Sequence, residues 1–332
     1  MQPTEEPVPV PAELPFEPSA QARQHRYSLV VPVFNSEKLV GRTVDRIIEV
    51  FESAGLDYEL ILVNDGSSDR SWQVIAEKAR THRHVKALDL LRNYGQHRAN
   101  LAGFRESTGD YVITLDDDLQ NPPDQALLLI ERAVQGYDVV FGEFQVKQAA
   151  GYRRWGSKVI SMINRKVFGQ PHDLAVSNFR VLRRDVVDRI CASRTAHPYV
   201  TGQALMFSGN PTHVPVRHEQ RAVGKSNYGL MRIAGLVTTI LFSYSVVPLR
   251  LAAGFGFIVA LLSFFIGAGF LVRGLVSTTS VPGWTSLIVL LSMFSGVTIA
   301  LLAILGEYVV RTLDAVSLQQ RYHVVERVSR DD

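Results

Sequence analysis

The sequence contains a single cysteine, Cys191, among its 332 residues. One cysteine excludes an internal disulfide and any metal cluster built from cysteines, and it fits a protein kept in a reducing compartment. We expect Cys191 to be a small, buried, apolar residue.

The chain also lacks a strong charge imbalance, since 35 basic residues stand against 32 acidic ones and give a net charge of +3. No helix or loop concentrates basic residues with interleaved aromatic residues, so nucleic acid is not expected as a partner. No glycine-rich loop ending in Gly-Lys-Ser/Thr follows the first apolar run, which excludes phosphoryl transfer of the P-loop class.

Large apolar side chains are scarce in residues 1–26, which instead contain six prolines. Such a segment cannot bury enough surface to fold, and we expect a disordered tail. It has no basic start followed by an apolar run, so no secretory signal is predicted here.

From residue 27 onward, short apolar runs alternate with stretches of helical periodicity. The predicted strands are 27–35, 58–65, 85–90 and 111–118. The predicted helices are 36–55, with Ser36 as its N-cap, 71–80 and 97–107. This alternation predicts an α/β domain with a mostly parallel sheet covered on both faces, which would bind ligands at the carboxyl ends of its strands.

Polar residues follow three of these strands, at Asn35, at Asn64–Asp69 and at Asp116–Asp118. One such loop alone is most often a solvated turn, but their recurrence at one sheet edge favours a site. In an extended segment Asp116, Asp118 and Gln120 would point the same way. Two carboxylates and an amide oxygen suit Mg²⁺ or Mn²⁺ bound together with substrate phosphates.

A divalent cation at this edge leaves two enzyme classes open, nucleotide-sugar transfer and phosphatase chemistry of the aspartyl-phosphate type. The phosphatase would require its Asp-x-Asp after the first strand and Thr or Val in place of Gln120. Nucleotide-sugar transfer is therefore the leading hypothesis.

Four segments of the chain resemble those of a known family. They are VVPVFNSE (30–37), ILVNDGSSD (61–69), LRNYGQHRANLAGF (91–104) and ITLDDDLQNPP (113–123). The family that they resemble is glycosyltransferase family 2, which has the GT-A fold. The resemblance runs from about Tyr27 to about Tyr322 and is greatest to polyprenyl-phosphate glycosyltransferases. It implies inverting transfer of a sugar from a nucleotide diphosphate sugar to a polyprenyl phosphate. RNYGQH resembles the undecaprenyl branch, so a UDP-sugar is the preferred donor, and a GDP-mannose-dependent dolichyl-phosphate mannose synthase is the alternative.

The resemblance also implies roles for individual residues. Asp116, Asp118 and Gln120 correspond to ligands of the metal and the diphosphate, and Asp117 occupies a position where alanine is common. Asp65 corresponds to an aspartate that binds the nucleobase. The implied catalytic residues are Asp116, Asp118, Arg180 and Arg221. The implied substrate-binding residues are Pro32, Phe34, Glu37, Asp65, Asn93, Gln96, Asp117, Arg180, Arg221, Lys225 and Ser226.

Two sequence features limit or test this assignment. In the segment RAVGKSNYGLMR (221–232), Asn227 stands where the family has lysine, and Lys225 brings a positive charge two positions earlier. His97 lies beside Gln96, and we expect it to stabilise the loop rather than to act as a base.

Two uncharged apolar stretches, 251–272 and 284–306, are each long enough to cross a bilayer, and they predict spans at about 249–272 and 284–307. The basic residues around them place both termini and the catalytic domain in the cytosol, in an inner-membrane protein of two spans. A buried hairpin in a soluble protein is the alternative. Amphipathic stretches at about 152–168 and 228–245 are predicted to lie on the membrane surface.

The resulting organisation has five parts. They are a tail (1–26), a cytosolic GT-A domain (27–227), an interface helix (228–245), a two-helix transmembrane hairpin (246–311) and a cytosolic tail (312–332). The resemblance makes a homotetramer plausible. Two rival functions remain, a processive polysaccharide synthase, which would normally carry more spans and a Gln-x-x-Arg-Trp motif, and a non-enzymatic membrane accessory protein.

Overall fold

The computed structural model divides the chain into two compact units. The first comprises Met1–Ser193, Pro198–Leu230 and Gln319–Asp332, and the second comprises Arg194–His197 and Met231–Leu318. The structure describes residues 17–144, 161–193, 195, 198–217, 237–238, 244–245, 250–252, 254–256, 258–259, 261–262, 265, 283–316 and 322–330.

The first unit is built around a sheet of eight strands. They are β1 (Arg26–Val33), β2 (Asp57–Asn64), β3 (Val85–Leu90), β4 (Tyr111–Thr114), β5 (Val139–Phe144), β6 (Arg180–Arg183), β7 (Pro211–Val216) and β8 (Val324–Val328). Their spatial order is β7-β5-β6-β4-β1-β2-β3-β8. Strands β4, β1, β2 and β3 are mutually parallel, as the alternating sequence pattern predicted. Strands β6 and β8 pair antiparallel with β4 and β3.

Helices cover both faces of this sheet, and this prediction is also confirmed. The helices of the first unit with defined ends are α1 (Val40–Ser53), α2 (Ser71–Thr81), α3 (Gln96–Glu106), α4 (Gln125–Val134), α5 (Arg184–Ala192) and α6 (Val200–Phe207). Side chains of α1, α2 and α4 share one buried core with alternate residues of β1 and β2. Helix α3 packs on the opposite face, where a Cβ at Gly103 would lie 2.4 Å from Cγ1 of Val30.

The predicted N-cap of the first helix was wrong. Helix α1 begins at Val40, and Leu39 occupies the N-cap position without a side-chain hydrogen bond. The carbonyl of Ser36 accepts hydrogen bonds from the backbone N–H groups of Leu39 and Val40, so a turn separates Ser36 from the helix. The Ser36 side chain instead bonds the carboxylate of Asp117.

A buried carboxylate fixes the amino-terminal end of the parallel strands. Glu59 is 2 % exposed and accepts hydrogen bonds from Ser28 Oγ at 2.7 Å and from Lys86 Nζ at 2.9 Å. The backbone N–H and the hydroxyl of Thr108 donate to the same carboxylate at 2.6 and 2.8 Å. Glu59 therefore connects β1, β2, β3 and the turn before β4.

Strand β8 was not predicted from the sequence, and it extends the sheet beyond β3 with residues that follow the second unit. Val328 is 7 % exposed and belongs to the core, whereas Val325 is 55 % exposed. Just before the strand, the guanidinium of Arg105 lies over the ring of Tyr322 at 5.5 Å and donates to its hydroxyl at 3.3 Å.

In the second unit, one helix with defined ends, α7 (Trp284–Val316), includes the second predicted span. Its exposed apolar side chains include Leu287, Leu291 and Ile299. Most of the first predicted span, and most of the interface stretch 228–245, lie outside the described residues. Among the described residues, no helix meets the length and hydropathy expected of a membrane span.

The predicted interface stretch 152–168 is described only in part, and residues 161–168 are helical. Met162 is 60 % exposed, whereas the neighbouring Ile163 is buried against the protein. Cys191 is a free thiol at partial burial, and that burial raises its pKa to about 11, so the thiol stays protonated at neutral pH.

Candidate active site

The polar loops after β1 and β2 are joined by hydrogen bonds at one edge of the sheet. The backbone N–H of Asn35 donates to Ser67 Oγ at 3.0 Å, and the Asn35 side-chain oxygen accepts from the N–H of Ser68 at 2.9 Å. The backbone of Asn35 has a positive φ of 50°, which is uncommon outside glycine and is typical of constrained loops near functional sites. The predicted clustering of these loops is confirmed.

Glu37 and Asp69 complete the connection between the same two loops. The N–H of Glu37 donates to Asp69 at 3.0 Å, while the carboxylate of Glu37 accepts from the backbone N–H of Arg70 at 3.1 Å. Asp69 also accepts from the N–H of Ser71 at 2.9 Å, so it holds the first residue of α2. Both acidic side chains thus stabilise the walls of the site.

The acidic loop after β4 is a turn, and the expectation of an extended segment from 116 to 120 was wrong. Residues 117 and 118 form the turn, and Leu119 has a positive φ of 58°. Asp118, which is 7 % exposed, accepts a hydrogen bond from the backbone N–H of Gln120 at 3.1 Å. The three aspartates therefore differ in environment because of the turn, not because of strand alternation.

Two side-chain amides hold Asp116. Gln96, the first residue of α3, donates from Nε2 to Asp116 Oδ1 at 2.7 Å, and Asn121 donates from Nδ2 to Asp116 Oδ2 at 3.4 Å. Gln96 in turn accepts from Asn178 Nδ2 at 3.3 Å. The orientation of this carboxylate is consequently fixed by residues from three separate parts of the chain.

Asp117 is attached to the loop after β1. Its carboxylate accepts from the backbone N–H of Phe34 at 3.3 Å, and its carbonyl accepts from the hydroxyl of Thr43 at 2.8 Å. Burial raises the pKa of Asp117 to about 7, and repulsion from the carboxylates of Asp118 and Asp116 adds to the shift. Negative charge is therefore concentrated at this edge of the sheet.

Asp65 is buried, and its two oxygens accept from the backbone N–H groups of Tyr94 and Gly95 at 2.7 and 2.9 Å. Burial raises its pKa even against these hydrogen bonds. The neighbouring Gly66 has a φ of 64°, and a Cβ there would lie 2.3 Å from the carbonyl carbon of Arg92. The loop after β2 and the loop 91–95 thus pack backbone against backbone.

Arg180 begins β6, and its backbone pairs with Thr114 at the end of β4. Its side chain is 0 % exposed and donates from Nη1 to Thr201 Oγ1 at 2.7 Å, but within the described part of the chain Nε and Nη2 have no hydrogen-bond partner. Burial lowers the pKa of Arg180 to about 10, so it remains a cation at neutral pH, and Asp116 partly offsets the shift.

His97 lies beside this buried cation, with its ring edge-on to the ring of Tyr199 at 5.3 Å. Burial, and after it the charge of Arg180, lowers the pKa of His97 to about 4, so the imidazole is neutral at pH 7. Packing against Tyr199 agrees with the expected stabilising role of His97.

The structure therefore brings together most of the residues that the sequence singled out. Asp116 contacts Gln96, Asp117 contacts the backbone of Phe34, and Asp65 holds the loop that connects Asn93 to Gln96. Pro32 is partly buried within β1, and Asn93 is exposed. Arg221, Lys225 and Ser226 lie outside the described residues.

Sequence reasoning missed three polar residues of the site, Asn121, Asn178 and Thr201. One of them, Asn121, stands inside ITLDDDLQNPP, a segment that carried the resemblance. Their spacing from Asp116 and Arg180 in the sequence did not indicate that they belong to the site. Their contacts depend on the turn at 117–118 and on the antiparallel pairing of β6.

The chain is similar over most of its length to bacterial sugar transferases. Residues 28–191 match the family model described as Glycosyl transferase family 2. The undecaprenyl-phosphate 4-deoxy-4-formamido-L-arabinose transferase of Pseudomonas paraeruginosa is 37% identical over 91% of this chain and 90% of its own. The protein of the same name from Edwardsiella ictaluri is 36% identical over 92% of this chain and 95% of its own.

The fold is also similar to a solved structure, that of glucosyl-3-phosphoglycerate synthase from Mycobacterium tuberculosis. A complex of that enzyme with Mn²⁺, uridine diphosphate and glucosyl-3-phosphoglycerate aligns with a TM-score of 0.52 at 17% identity. The alignment covers 71% of this chain and 85% of the other. The likeness supports a GT-A-like α/β sheet.

Proposed function

Because the chain belongs to glycosyltransferase family 2, we propose that it transfers a sugar to undecaprenyl phosphate from a nucleotide diphosphate sugar, preferably a UDP-sugar. The observation that carries this proposal is the similarity, over nine tenths of both chains, to transferases named for that acceptor. The protein is a glycosyltransferase, and the nucleotide, the inverting outcome and the metal dependence belong to the proposal.

The donor set at the acidic loop fits a divalent cation. Asp116 and Asp118 supply two carboxylates within three residues, and Gln120 stands two residues after Asp118. No cluster of three or more His, Cys, Asp or Glu side chains suited to a metal occurs among the described residues. Mg²⁺ and Mn²⁺ require only one or two carboxylates when substrate phosphates and water complete the shell. A bound cation would neutralise charge on the departing diphosphate.

The loops around the acidic turn are the proposed nucleoside site. Phe34 is 48 % exposed at the end of β1, next to Asp117, and it offers an aromatic face to a base or ribose. The proposed base contact of Asp65 must share its carboxylate with the N–H groups of Tyr94 and Gly95. A carboxylate can accept about four hydrogen bonds, so these two leave capacity for a base N–H.

Arg180 is the proposed ligand of a phosphate group. A fully buried guanidinium with two nitrogens lacking a partner in the described chain is costly, and a phosphate would satisfy both donors. The second pKa of a phosphate monoester is near 6, so the acceptor is largely dianionic at pH 7 and needs no strong base. The task of the protein is then to align the acceptor with the anomeric carbon.

Arg221, Ser226 and Lys225 are proposed to complete the phosphate site. The last described residue before them, Arg217, donates from its backbone N–H to Gln125 at 3.1 Å and from Nη2 to Asp124 at 2.7 Å. Both partners directly follow the acidic loop and its two prolines. Four residues of chain span at most about 14 Å, which brings Arg221 within reach of that neighbourhood.

A lipid-linked acceptor would explain the apolar segments between residues 249 and 307. We assign membrane spans at about 249–272 and 284–307 in the inner membrane, with the catalytic domain and both termini in the cytosol. We assign the stretches at about 152–168 and 228–245 as helices on the membrane surface. The proposed assembly is a homotetramer. The support is the absence of charged residues from 251–272 and from 284–306, together with the exposed leucines of α7. The orientation can be tested by placing a cysteine at residue 2 or at residue 278 and labelling it in sealed vesicles that keep the orientation of the cell membrane. Only the cysteine at residue 278 should be labelled from outside.

The deciding experiment incubates membranes containing the protein with labelled nucleotide sugars, undecaprenyl phosphate and Mn²⁺. Label that enters the organic phase with a UDP-sugar supports the proposal, whereas label transferred only from GDP-mannose supports the mannose synthase alternative. Labelled polymer would indicate a processive synthase. If the protein unfolds cooperatively but transfers label from none of the donors tested, the enzymatic proposal is contradicted.

A further inference from the structure

A chain of hydrogen bonds joins Asn178 to the acidic loop through Gln96. Asn178 Nδ2 donates to Gln96 Oε1 at 3.3 Å, and Gln96 Nε2 donates to Asp116 Oδ1 at 2.7 Å. The hydroxyl of Thr114 donates to the backbone carbonyl of Asn178 and holds it beside the end of β4. The three amide and carboxylate groups come from the loop before β6, from α3 and from the loop after β4.

The direction of these hydrogen bonds follows from their chemistry. An ionised carboxylate only accepts, so Gln96 must direct its NH₂ group toward Asp116. Its carbonyl oxygen then points the other way and requires a donor, which the NH₂ group of Asn178 supplies. An aspartate at position 178 would remove that donor and attract the NH₂ group of Gln96. The carbonyl of Gln96 would then face Asp116 and repel it.

We infer that Asn178 is a positioning residue for Asp116, acting through Gln96 to fix the carboxylate in the orientation that receives the divalent cation. Asn121 supports the same carboxylate from the other side, at 3.4 Å from Oδ2. Each carboxylate oxygen can accept about two interactions, so one amide donor on each is compatible with metal coordination. Such outer partners orient ligands before the metal arrives, and their loss typically weakens metal binding by about 10- to 100-fold.

This inference rests on the proposed metal-dependent transfer, and its test measures metal binding separately from activity. The detergent-solubilised full chain is titrated with Mn²⁺ in the presence of UDP, and in parallel GDP, while free Mn²⁺ is followed by electron paramagnetic resonance. Asn178→Ala is expected to raise the Mn²⁺ dissociation constant by about tenfold or more. Saturating Mn²⁺ should restore most of its turnover, because the variant lacks orientation rather than a ligand.

A double-mutant comparison isolates the path through Gln96. In a Gln96→Ala background, Asn178→Ala should change the Mn²⁺ dissociation constant by less than about twofold, because the connecting amide is already absent. Equal effects of Asn178→Ala in both backgrounds, or no effect in either, would overturn the inference. Asn210→Ala is the matched control, since Asn210 donates to Gly136 at 3.3 Å in an exposed loop and should leave Mn²⁺ affinity unchanged.

Asn178→Asp keeps the shape of the side chain, and it is the variant to measure if Asn178→Ala does not fold. It is expected to weaken Mn²⁺ binding at least as much as Asn178→Ala, because it reverses the amide of Gln96. Wild-type affinity in Asn178→Asp would also overturn the inference. If the wild-type protein itself binds no Mn²⁺ with either nucleotide, the metal dependence in the proposed function fails, which is a separate result.

Discussion

The backbone N–H of Phe34 donates to the carboxylate of Asp117 at 3.3 Å, so the middle of three consecutive aspartates is attached to the end of β1. Asp116 is held by amides from α3 and from its own loop. Asp118 accepts a hydrogen bond from the backbone N–H of Gln120 within its own turn. One run of identical residues therefore has three distinct structural roles.

We expect Asp118→Ala and Asp117→Ala to differ sharply in activity. Loss of the proposed metal ligand in Asp118→Ala should lower sugar transfer by at least about a hundredfold, while the protein still folds and inserts into membranes. Asp117→Ala removes a carboxylate that its neighbours repel, and water can satisfy the backbone N–H of the exposed residue Phe34, so transfer should fall by less than about fivefold. Initial rates of lipid-linked product formation measure both. Equal losses in the two variants would contradict the assignment of Asp118 as the ligand.

Arg180→Met should separate activity from stability. The guanidinium is fully buried with two nitrogens that lack partners in the described chain, so an apolar side chain of similar length removes a cost of burial. The thermal midpoint should stay equal or rise, while transfer falls by about a hundredfold or more. Scanning fluorimetry and the transfer assay provide the two readouts. A large drop in the midpoint would show that Arg180 serves the fold rather than a phosphate.

Glu59→Gln should lower the stability of the protein at neutral pH and make that stability less dependent on pH in the acidic range. Burial alone would raise the pKa of Glu59, but hydrogen bonds from Lys86, Ser28 and Thr108 outweigh it and lower the pKa to about 2. A carboxylate with a lowered folded-state pKa stabilises the protein above its unfolded pKa of about 4.3, and this stability is lost as the pH falls toward 2. The contribution is about 3 kcal/mol at pH 7.

The measurement for Glu59→Gln is the thermal midpoint between pH 3 and pH 7. The midpoint at pH 7 should fall by roughly 5–10 °C, and the difference from wild type should shrink toward pH 3. Glu49→Gln is the control, because the ion pair of Glu49 with Arg46 is exposed and its loss should change the midpoint little. A constant difference at every pH would contradict the role of the Glu59 charge.

Two substitutions on one strand test whether β8 belongs to the folded sheet. Val328→Asp places a charge in the core and should lower the thermal midpoint by roughly 5–10 °C and expose the carboxyl terminus to proteases. Val325→Asp changes an exposed position of the same strand and should have little effect. Similar behaviour of the two variants would show that β8 is not packed on β3.

The central part of the fold could be predicted from local sequence patterns. The parallel strands β1 to β4 and the helices between them are continuous amphipathic or apolar segments, so their periodicity identified them. The edge strand β8 could not be found in this way. It is a short segment, VVERV, and it is stabilised by pairing with β3 from the first third of the chain.

The candidate site was predictable to the extent that its residues follow strands directly. Asp116 and Asp118 are at the edge where parallel strands end, and the sheet topology alone indicates a site there. Asn178 and Thr201 depend on pairing between β4 and β6 and on the position of α6, which no local pattern encodes. The turn at Leu119 also escaped prediction, because a leucine with positive φ gives no sequence signal.

The position of β8 in the sequence also sets an order of events during translation. Ribosomes complete β1 to β7 and then synthesise residues 231–318 before the strand that pairs with β3 is made. Throughout that interval the edge of β3 has unpaired backbone groups, which can pair with other chains and promote aggregation. The edge of β3 is therefore open to pairing with other chains until VVERV has been synthesised and pairs with it.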